Sequence, residues 1–439
     1  MKRYAWLLVC LLPVASWAGI PIQHWTLPTG AKVYLVEAPG IPMVDVQIEF
    51  DAGARRDPEG QTGLAVATSR MMGKGIKAFQ GQPAMDENQL GEAWADLGAM
   101  VSANASADRM AFSLRSLTRP ELLDAAVALA ARELAAPSFP SDVWQSERER
   151  WLASIAESNT KPATQAGKAF NQAVFGQHPY GAEIDEASLR RIDTADMAQF
   201  VSRHLLLCQA KISVVGAVNR AQTERLLNQL LSGLPRQTDC PVQSVVPEVT
   251  PLKAAKTVNI PFESAQAHVF IGQPGIPRQH PDFFALTLGN YVLGGGGFVS
   301  RLTEQVREKR GLSYSVYSYF SPGQHAGAFT VGLQTRPDQA AQAGQVASDV
   351  LAEFVRKGPT DQEVQAAKDF MIGGFALRLD SNRKLLDNLG NIAWFDLPLD
   401  YLDTWSAEID KLSATQIQQA FARNLQPERM VTVILGAKP

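Results

Sequence analysis

Clustered positive charge is missing from this chain. Its 41 Lys and Arg face 44 Asp and Glu for a formal net charge of -3, and no long basic run appears. Phosphate backbones are gripped by grouped Lys and Arg, so nucleic acid is not an expected partner. No apolar run approaches the ~20 residues a membrane-spanning helix needs, so no membrane span is expected. Cysteine is scarce, three in 439 residues. The six histidines (His24, His178, His204, His268, His280, His325) never pair at i and i+4. No two of them therefore share a helical face as zinc ligands would. A Walker loop is absent, because the one glycine run lacks a following Gly-Lys-Ser/Thr. No nucleophile, base and orienting group stand in a recognisable order. At 46% hydrophobic and 19% charged residues the composition is that of a globular protein with sizeable cores, not a disordered one.

What is present begins with an export pattern. Lys2 and Arg3 precede an apolar run, and Ser16-Trp17-Ala18 offers small residues for cleavage before Gly19. This predicts a signal peptide over 1–18, soluble export and, in a Gram-negative cell, the periplasm. Cys10 lies too early in the run to act as a lipid attachment site. Cleavage leaves Cys208 and Cys240. In an oxidising compartment they either form a disulfide or remain two buried thiols, and sequence alone does not supply the geometry that decides.

The chain repeats at the scale of a domain. Thr194 to His204 reads as a helix followed by the β-rich run Lys211 to Ala217. Ser413 to Asn424 is likewise followed by Met430 to Ala437. Pro235 to Pro251 is rich in Pro, Val, Gln and Thr, has no period, and reads as a linker. The expected domains are 19–235 and 252–439, joined by 236–251. Strands are expected over Lys32 to Val36 and over Val44 to Phe50, the latter with period-two alternation. Helices are expected over Gly63 to Met72, Pro120 to Leu134 and Ser141 to Glu157. Strands followed by helix pairs predict α+β domains with sheets covered by helices.

Two segments carry the chemistry. The first is Asp51-Ala52-Gly53-Ala54-Arg55, then Gly63-Leu64-Ala65, then Val66-Ala67-Thr68-Ser69-Arg70. The second is Leu293-Gly294-Gly295-Gly296-Gly297-Phe298-Val299-Ser300-Arg301-Leu302, followed by Val306-Arg307-Glu308-Lys309-Arg310-Gly311-Leu312-Ser313-Tyr314-Ser315-Val316. Alone, the glycines read as a flexible turn opening a helix. Alone, Arg307 reads as a helix-surface charge and Tyr314 as a half-buried strand residue.

Together with Leu27 to Leu35, Glu147 to Ile155 and His178-Pro179-Tyr180-Gly181, these segments resemble the pitrilysin/insulinase-type zinc peptidases, the inverzincins, from about Pro21 to Ala437. In that family Gly-Leu-Ala leads into His-x-x-Glu-His, whose histidines bind zinc while the Glu serves as base. Here Val66 and Arg70 stand at the histidine positions and Ser69 at the base. The downstream helix places Ser154 at the third ligand. None of these binds zinc usefully, and Arg cannot deprotonate to become a ligand. Two readings of Arg70 remain open: a cationic surrogate for the metal paired with Glu147, or a solvated side chain on a vestigial face. His178 to Gly181 is expected to be a structural turn ahead of a helix.

Arg307 and Tyr314 match the family's Arg/Tyr pair, which reaches toward substrate bound at the zinc of an opposing half. The resemblance implies two pitrilysin-like α+β domains, each a mostly antiparallel sheet covered by helices. It also implies a subunit that binds no cofactor of its own. Its partner would be a zinc-bearing paralogous subunit, and its substrate an unfolded peptide. The alternative is a catalytically inactive peptide-binding or structural pseudo-peptidase working without such a partner.

Overall fold

The computed structural model describes residues 19–236 and 239–437. The expected signal peptide and Cys10 lie outside the described residues.

The first half opens with strands β1 (Gln23–Thr26), β2 (Lys32–Glu37) and β3 (Met43–Phe50). Helix α1 (Leu64–Met72) follows, then the short pair β4 (Gly75–Ile76) and β5 (Met85–Asp86), and helix α2 (Glu87–Leu97). The hairpin β6 (Met100–Ala105) and β7 (Met110–Leu117) leads to α3 (Pro120–Ala135), α4 (Ser141–Ser158) and α5 (Pro162–Phe175). Helices α6 (Glu186–Arg190) and α7 (Thr194–His204), strand β8 (Lys211–Gly216) and helix α8 (Arg220–Leu230) complete it. The second half runs β9 (Lys256–Ile260), β10 (Ala267–Pro274), α9 (Phe283–Asn290), β11 (Ser315–Phe320) and β12 (Ala328–Thr335). It ends with α10 (Ala340–Lys357), α11 (Asp361–Gly373), α12 (Asn382–Trp394), α13 (Tyr401–Asp410), α14 (Ala414–Asn424) and β13 (Val431–Leu435).

The two large sheets share one plan. The first is ordered β1-β2-β8-β3-β7-β6, the second β11-β12-β10-β13-β9. In each, the strand closing the half runs parallel to one neighbour, β2 with β8 and β9 with β13, while the other pairings are antiparallel. Each sheet has its own core. Val46, Ile48, Phe50, Leu64, Met71, Leu134 and Phe200 fill the first; Val269, Leu288, Phe329, Phe354 and Phe421 fill the second.

The alternation in β3 holds, but its polar side chains do not face water. Asp45 is 4% exposed and Glu49 fully buried, because helix α12 of the second half lies over that face. Leu386, Leu389 and Ala393 pack on Tyr34, Val36 and Val215. The arrangement is reciprocal. Helix α5 of the first half lies on the second sheet, where Phe170 and Val174 meet Ala328, Val431 and Val433. Close approach is specified by glycine: a Cβ on Gly272 would meet the Phe170 ring at 2.7 Å, and one on Gly390 would meet the Gln47 amide at 2.9 Å. Each half thus lends a helix to cover the other's sheet.

Residues 239–251 contain no helix or strand and lie along the first half. Cys240 is disulfide-bonded to Cys208, with Cα atoms 5.8 Å apart. Gln209 donates to the Pro241 carbonyl at 2.8 Å, and Arg56 donates to that of Ser244. His178 contacts the Pro247 carbonyl at 3.0 Å. His178 to Gly181 forms a short 3-10 turn ahead of α6, and it does more than turn the chain. Tyr180 donates to Asp108 at 2.6 Å, Asp108 accepts the Gln324 amide at 2.9 Å, and Tyr180 Oη accepts the His325 amide at 3.1 Å. The turn therefore fastens both the linker and a loop of the second half.

Candidate functional site

Helix α1 is set by its approach. Gly63 takes φ +104 at its start, a conformation that favours glycine. The Asp57 carboxylate accepts from the amides of Gly63 (2.7 Å) and Ala65 (2.8 Å), satisfying donors that the first turn leaves free. On this helix Val66 is half-buried, Ser69 is buried and Arg70 is exposed. Ser69 Oγ donates to the Val66 carbonyl at 2.9 Å, so it is spent on its own backbone. Ser154 is exposed on α4.

Arg70 does not pair with Glu147. Its guanidinium lies over the Trp151 ring, 4.2 Å from the centroid. The packing of α1 on α4 sets Trp151 against Arg70 and leaves Glu147 one turn away, where it meets Lys74 (3.4 Å) and Arg150 (2.8 Å). The surrogate-pair expectation fails for that reason. Arg70 instead uses its flat cation on an aromatic face.

Zinc needs at least three deprotonated or neutral N, O or S donors on converging vectors. Val66 has none, the Ser69 hydroxyl is committed, and Arg70 cannot lose its proton. These residues do not fit a zinc ion. Among the described residues no group of three or more His, Cys, Asp or Glu is placed to hold a metal.

The second cluster is a cation held between two rings. Arg307 sits in a π-helical turn, Thr303–Glu308. Its guanidinium lies 4.8 Å from the Phe298 ring centroid and 4.7 Å from that of Tyr314. Nε also meets Glu308 at 3.2 Å. Both rings are open to solvent, Phe298 at 74% and Tyr314 at 81% exposure. Tyr314 is thus neither half-buried nor in a strand. It precedes β11, projected outward by its anchored neighbour Ser313, whose hydroxyl contacts the carbonyls of Ser315 (2.7 Å) and Gln334 (2.6 Å).

The glycine run is not a free turn. Tyr291–Gly295 continues α9 as a π-helical turn, and a Cβ on Gly294 would run into Ser318 of β11. Asn290 and Ser318 clamp that contact through two hydrogen bonds of 3.0 and 2.7 Å. A short 3-10 turn over Gly297–Val299 then raises Phe298 above Arg307. Below, Arg301 makes a two-pronged bond to Glu363 at 2.7 and 2.6 Å, and Glu363 also caps α11 through Thr360. These interactions hold the Glu363 carboxyl down at about 2 although burial opposes them. The segment presenting Arg307 is therefore anchored at both ends.

The structure sets Arg307 beside Tyr314, the two residues the sequence motif pairs, and adds Phe298, which sequence reasoning did not single out. The available signal was an exposed-type aromatic directly after four glycines. It also missed Glu133 of α3, 2% exposed, whose carboxylate accepts from Trp94 Nε1 at 3.0 Å. Glu133 shares an open cleft of about 700 Å³ with Ser69 and Arg70. A lone Glu in an Ala- and Leu-rich helix gives no sequence signal of this. Among the described residues no hydrogen bond, ion pair or ring contact links Arg307 or Tyr314 to Ser69, Arg70 or Ser154.

Two halves of one topology, each covering the other's sheet, with a helix where metal ligands would converge but do not, define a metallopeptidase-type fold without its metal centre. The chain belongs to peptidase family M16. The model described as Insulinase (Peptidase family M16) matches residues 32–187, and that of the Peptidase M16 inactive domain matches residues 191–371. A solved Peptidase M16 inactive domain from Pseudomonas fluorescens superposes with a TM-score of 0.89 at 32% identity, covering 95% of this chain and 98% of that one. A Helicobacter pylori protein named Non-peptidase homolog YmxG is 26% identical over 91% of this chain and 90% of its own length. An uncharacterized zinc protease of Mycobacterium tuberculosis is also 26% identical, over 97% of this chain and 95% of its own length. The fold further matches the periplasmic protease PqqL of Escherichia coli, with a TM-score of 0.80 at 16% identity, over 95% of this chain and 45% of that one. Among the described residues no helix is long and apolar enough to cross a membrane.

Proposed function

We propose that this chain is the non-catalytic, substrate-binding subunit of a heteromeric zinc metalloendopeptidase acting on unfolded peptides or small proteins in the periplasm. A zinc-bearing paralogous partner supplies metal and base. This chain supplies Arg307, Tyr314 and part of the enclosing wall. The observation that carries the reading is the contrast between the two sites. At α1 every ligand position is spent or incapable of binding metal, while Arg307 is held between Phe298 and Tyr314 with donors free on an exposed surface.

A fixed guanidinium and a phenol can both donate to a peptide carbonyl and to the oxyanion it becomes. Stacking between two rings confines the guanidinium plane before substrate arrives, which lowers the ordering cost of binding. The Helicobacter pylori relative, a non-peptidase homolog by name, supports a family member that does not cleave peptides by itself, and the likeness to a periplasmic protease, PqqL, accords with the compartment.

The test is peptidase activity on an unstructured reporter peptide, with this chain alone, the zinc-bearing partner alone, and the two mixed, each with and without a chelator. Chelator-sensitive activity is expected only in the mixture. Full activity of the partner alone, unchanged on mixing, would sink the shared-site reading and leave a peptide-binding protein that works without zinc.

A further inference from the structure

The cleft beside the vestigial metal position has a built floor. Its walls are α1, α2 and the edge strand β6, and its lining includes Arg70, Gly73, Gly91, Trp94, Ala103 and Glu133. One carboxylate oxygen of Glu133, Oε2, accepts from Trp94. The other, Oε1, accepts no hydrogen bond from the protein and lies toward Gly73, where a Cβ would sit 3.6 Å away. It is not among the sealed, unsatisfied atoms, so it is reached from the cleft. Among the described residues no basic side chain pairs with Glu133. Arg70 is stacked on Trp151, and Lys74 is engaged by Glu87 and Glu147. Arg132, next to Glu133 on α3, is turned away and donates to the Pro83 carbonyl at 2.5 Å. Glu92 adds a second carboxylate to the lining, with no ion pair among the described residues.

The geometry points to a side-chain pocket that takes a Lys or Arg of the bound peptide, with Glu133 as its counter-ion; the inference rests on the peptide-binding reading above. A buried carboxylate without a cation is costly, and a cation delivered by a ligand removes that cost. The apolar walls, Leu90, Trp94 and Ala103, suit the methylene stem of a long basic side chain whose charged head goes to the floor. Absence of side chains at Gly73 and Gly91 keeps the entrance open. Burial pushes the Glu133 carboxyl up to about 7 against the hydrogen bond from Trp94, which agrees with an acid left without a cation in the free protein.

The test uses the full chain without any partner. Two matched, fluorescent, unstructured peptides, one with Lys at every third position and one with norleucine there, are titrated by anisotropy. A charged hydrogen-bonded pair is worth roughly 1.5–3 kcal/mol, so the Lys peptide is expected to bind about 10- to 100-fold more tightly. Glu133→Gln keeps an acceptor for Trp94 and is expected to erase the difference. Gly91→Phe fills the cleft from a helix position where a Cβ meets nothing within 4 Å; it leaves Glu133 in place and is expected to erase the difference too. Equal binding of the two peptides, or a preference for Lys that survives both substitutions, overturns the pocket while leaving the shared-site reading to the mixing assay. Binding of neither peptide also overturns it.

Discussion

Arg307 illustrates how a charged residue can be rigid without a salt bridge of consequence. Its carboxylate partner among the described residues, Glu308, is itself 56% exposed, so that ion pair is screened and weak. The two rings do the positioning. In the mixed complex, Arg307→Ala and Tyr314→Phe should each lower kcat/KM by about 10²–10³-fold, the size expected for one oxyanion donor. Tyr314 is 81% exposed, so Tyr314→Phe should leave the unfolding temperature unchanged. A matching loss of stability would show that the residue supports the fold instead.

Glu133 belongs to the same scale. Its folded-state pKa, about 7, lies above the ordinary value of 4.5 because burial disfavours the charge. The stability associated with the neutral acid is therefore fully present below about pH 4.5 and is lost as pH rises through about 7. Glu133→Gln cannot ionise, so its stability relative to the parent should improve from pH 4.5 to pH 8, by up to about 3 kcal/mol. Urea melts at the two pH values measure this, and an unchanged gap would mean that folding does not raise the carboxyl's pKa. The Arg/Tyr pair could be read from the sequence because it sits in one continuous, specific motif. The partner of Arg70 could not, because Trp151 and Glu147 are one helical turn apart and only the packing of α1 on α4 chooses between them.

Among elements, the alternation of β3 and the helices α1, α3, α4 and α7 were legible in the chain, and each forms within a residue or two of its expected span. A periodicity names a face, however, and not what covers it. Asp45 and Glu49 of β3 sit where water-facing residues belong, and they are buried because α12 arrives from more than 300 residues away in sequence, the separation between Glu49 and Leu389. Arg115 and Arg109 pair with one oxygen of each at 2.5 and 2.8 Å, leaving Asp45 Oδ2 and Glu49 Oε2 buried without a hydrogen bond, and Arg109 reaches on to Asn391 of α12. The glycine run was misread for a similar reason, since a run of glycines signals freedom unless a neighbour such as Ser318 needs the space. Helix α12 should be energetically central. Leu389, fully buried, is expected to cost about 2–5 kcal/mol when changed to Ala. Because it joins both halves, the loss should appear as a lower midpoint of one shared transition. Two separated transitions would show that the halves unfold independently.

For the whole molecule, the linker matters as much as the domains it joins. The Cys208–Cys240 bond closes a loop with a sequence separation of 32. Loops of that length typically confer roughly 3–4 kcal/mol. Cys208→Ser should lower stability by that order in non-reducing conditions, and reductant should have no further effect on the variant. If the parent is equally stable with and without reductant, the bond carries no stabilisation. Neither the pairing nor the path of residues 239–251 along the first half followed from composition, which marks a linker but not where it lies.

The exchange of α5 and α12 has a consequence for motion. Drawing the halves apart would strip the cover from both sheets at once, exposing Phe170, Val174, Leu386 and Leu389 together. The chain is therefore a shell without a hinge of its own. Any chamber it helps to enclose must admit and release its contents through the displacement of a separate body against this one, never through a yawn within it.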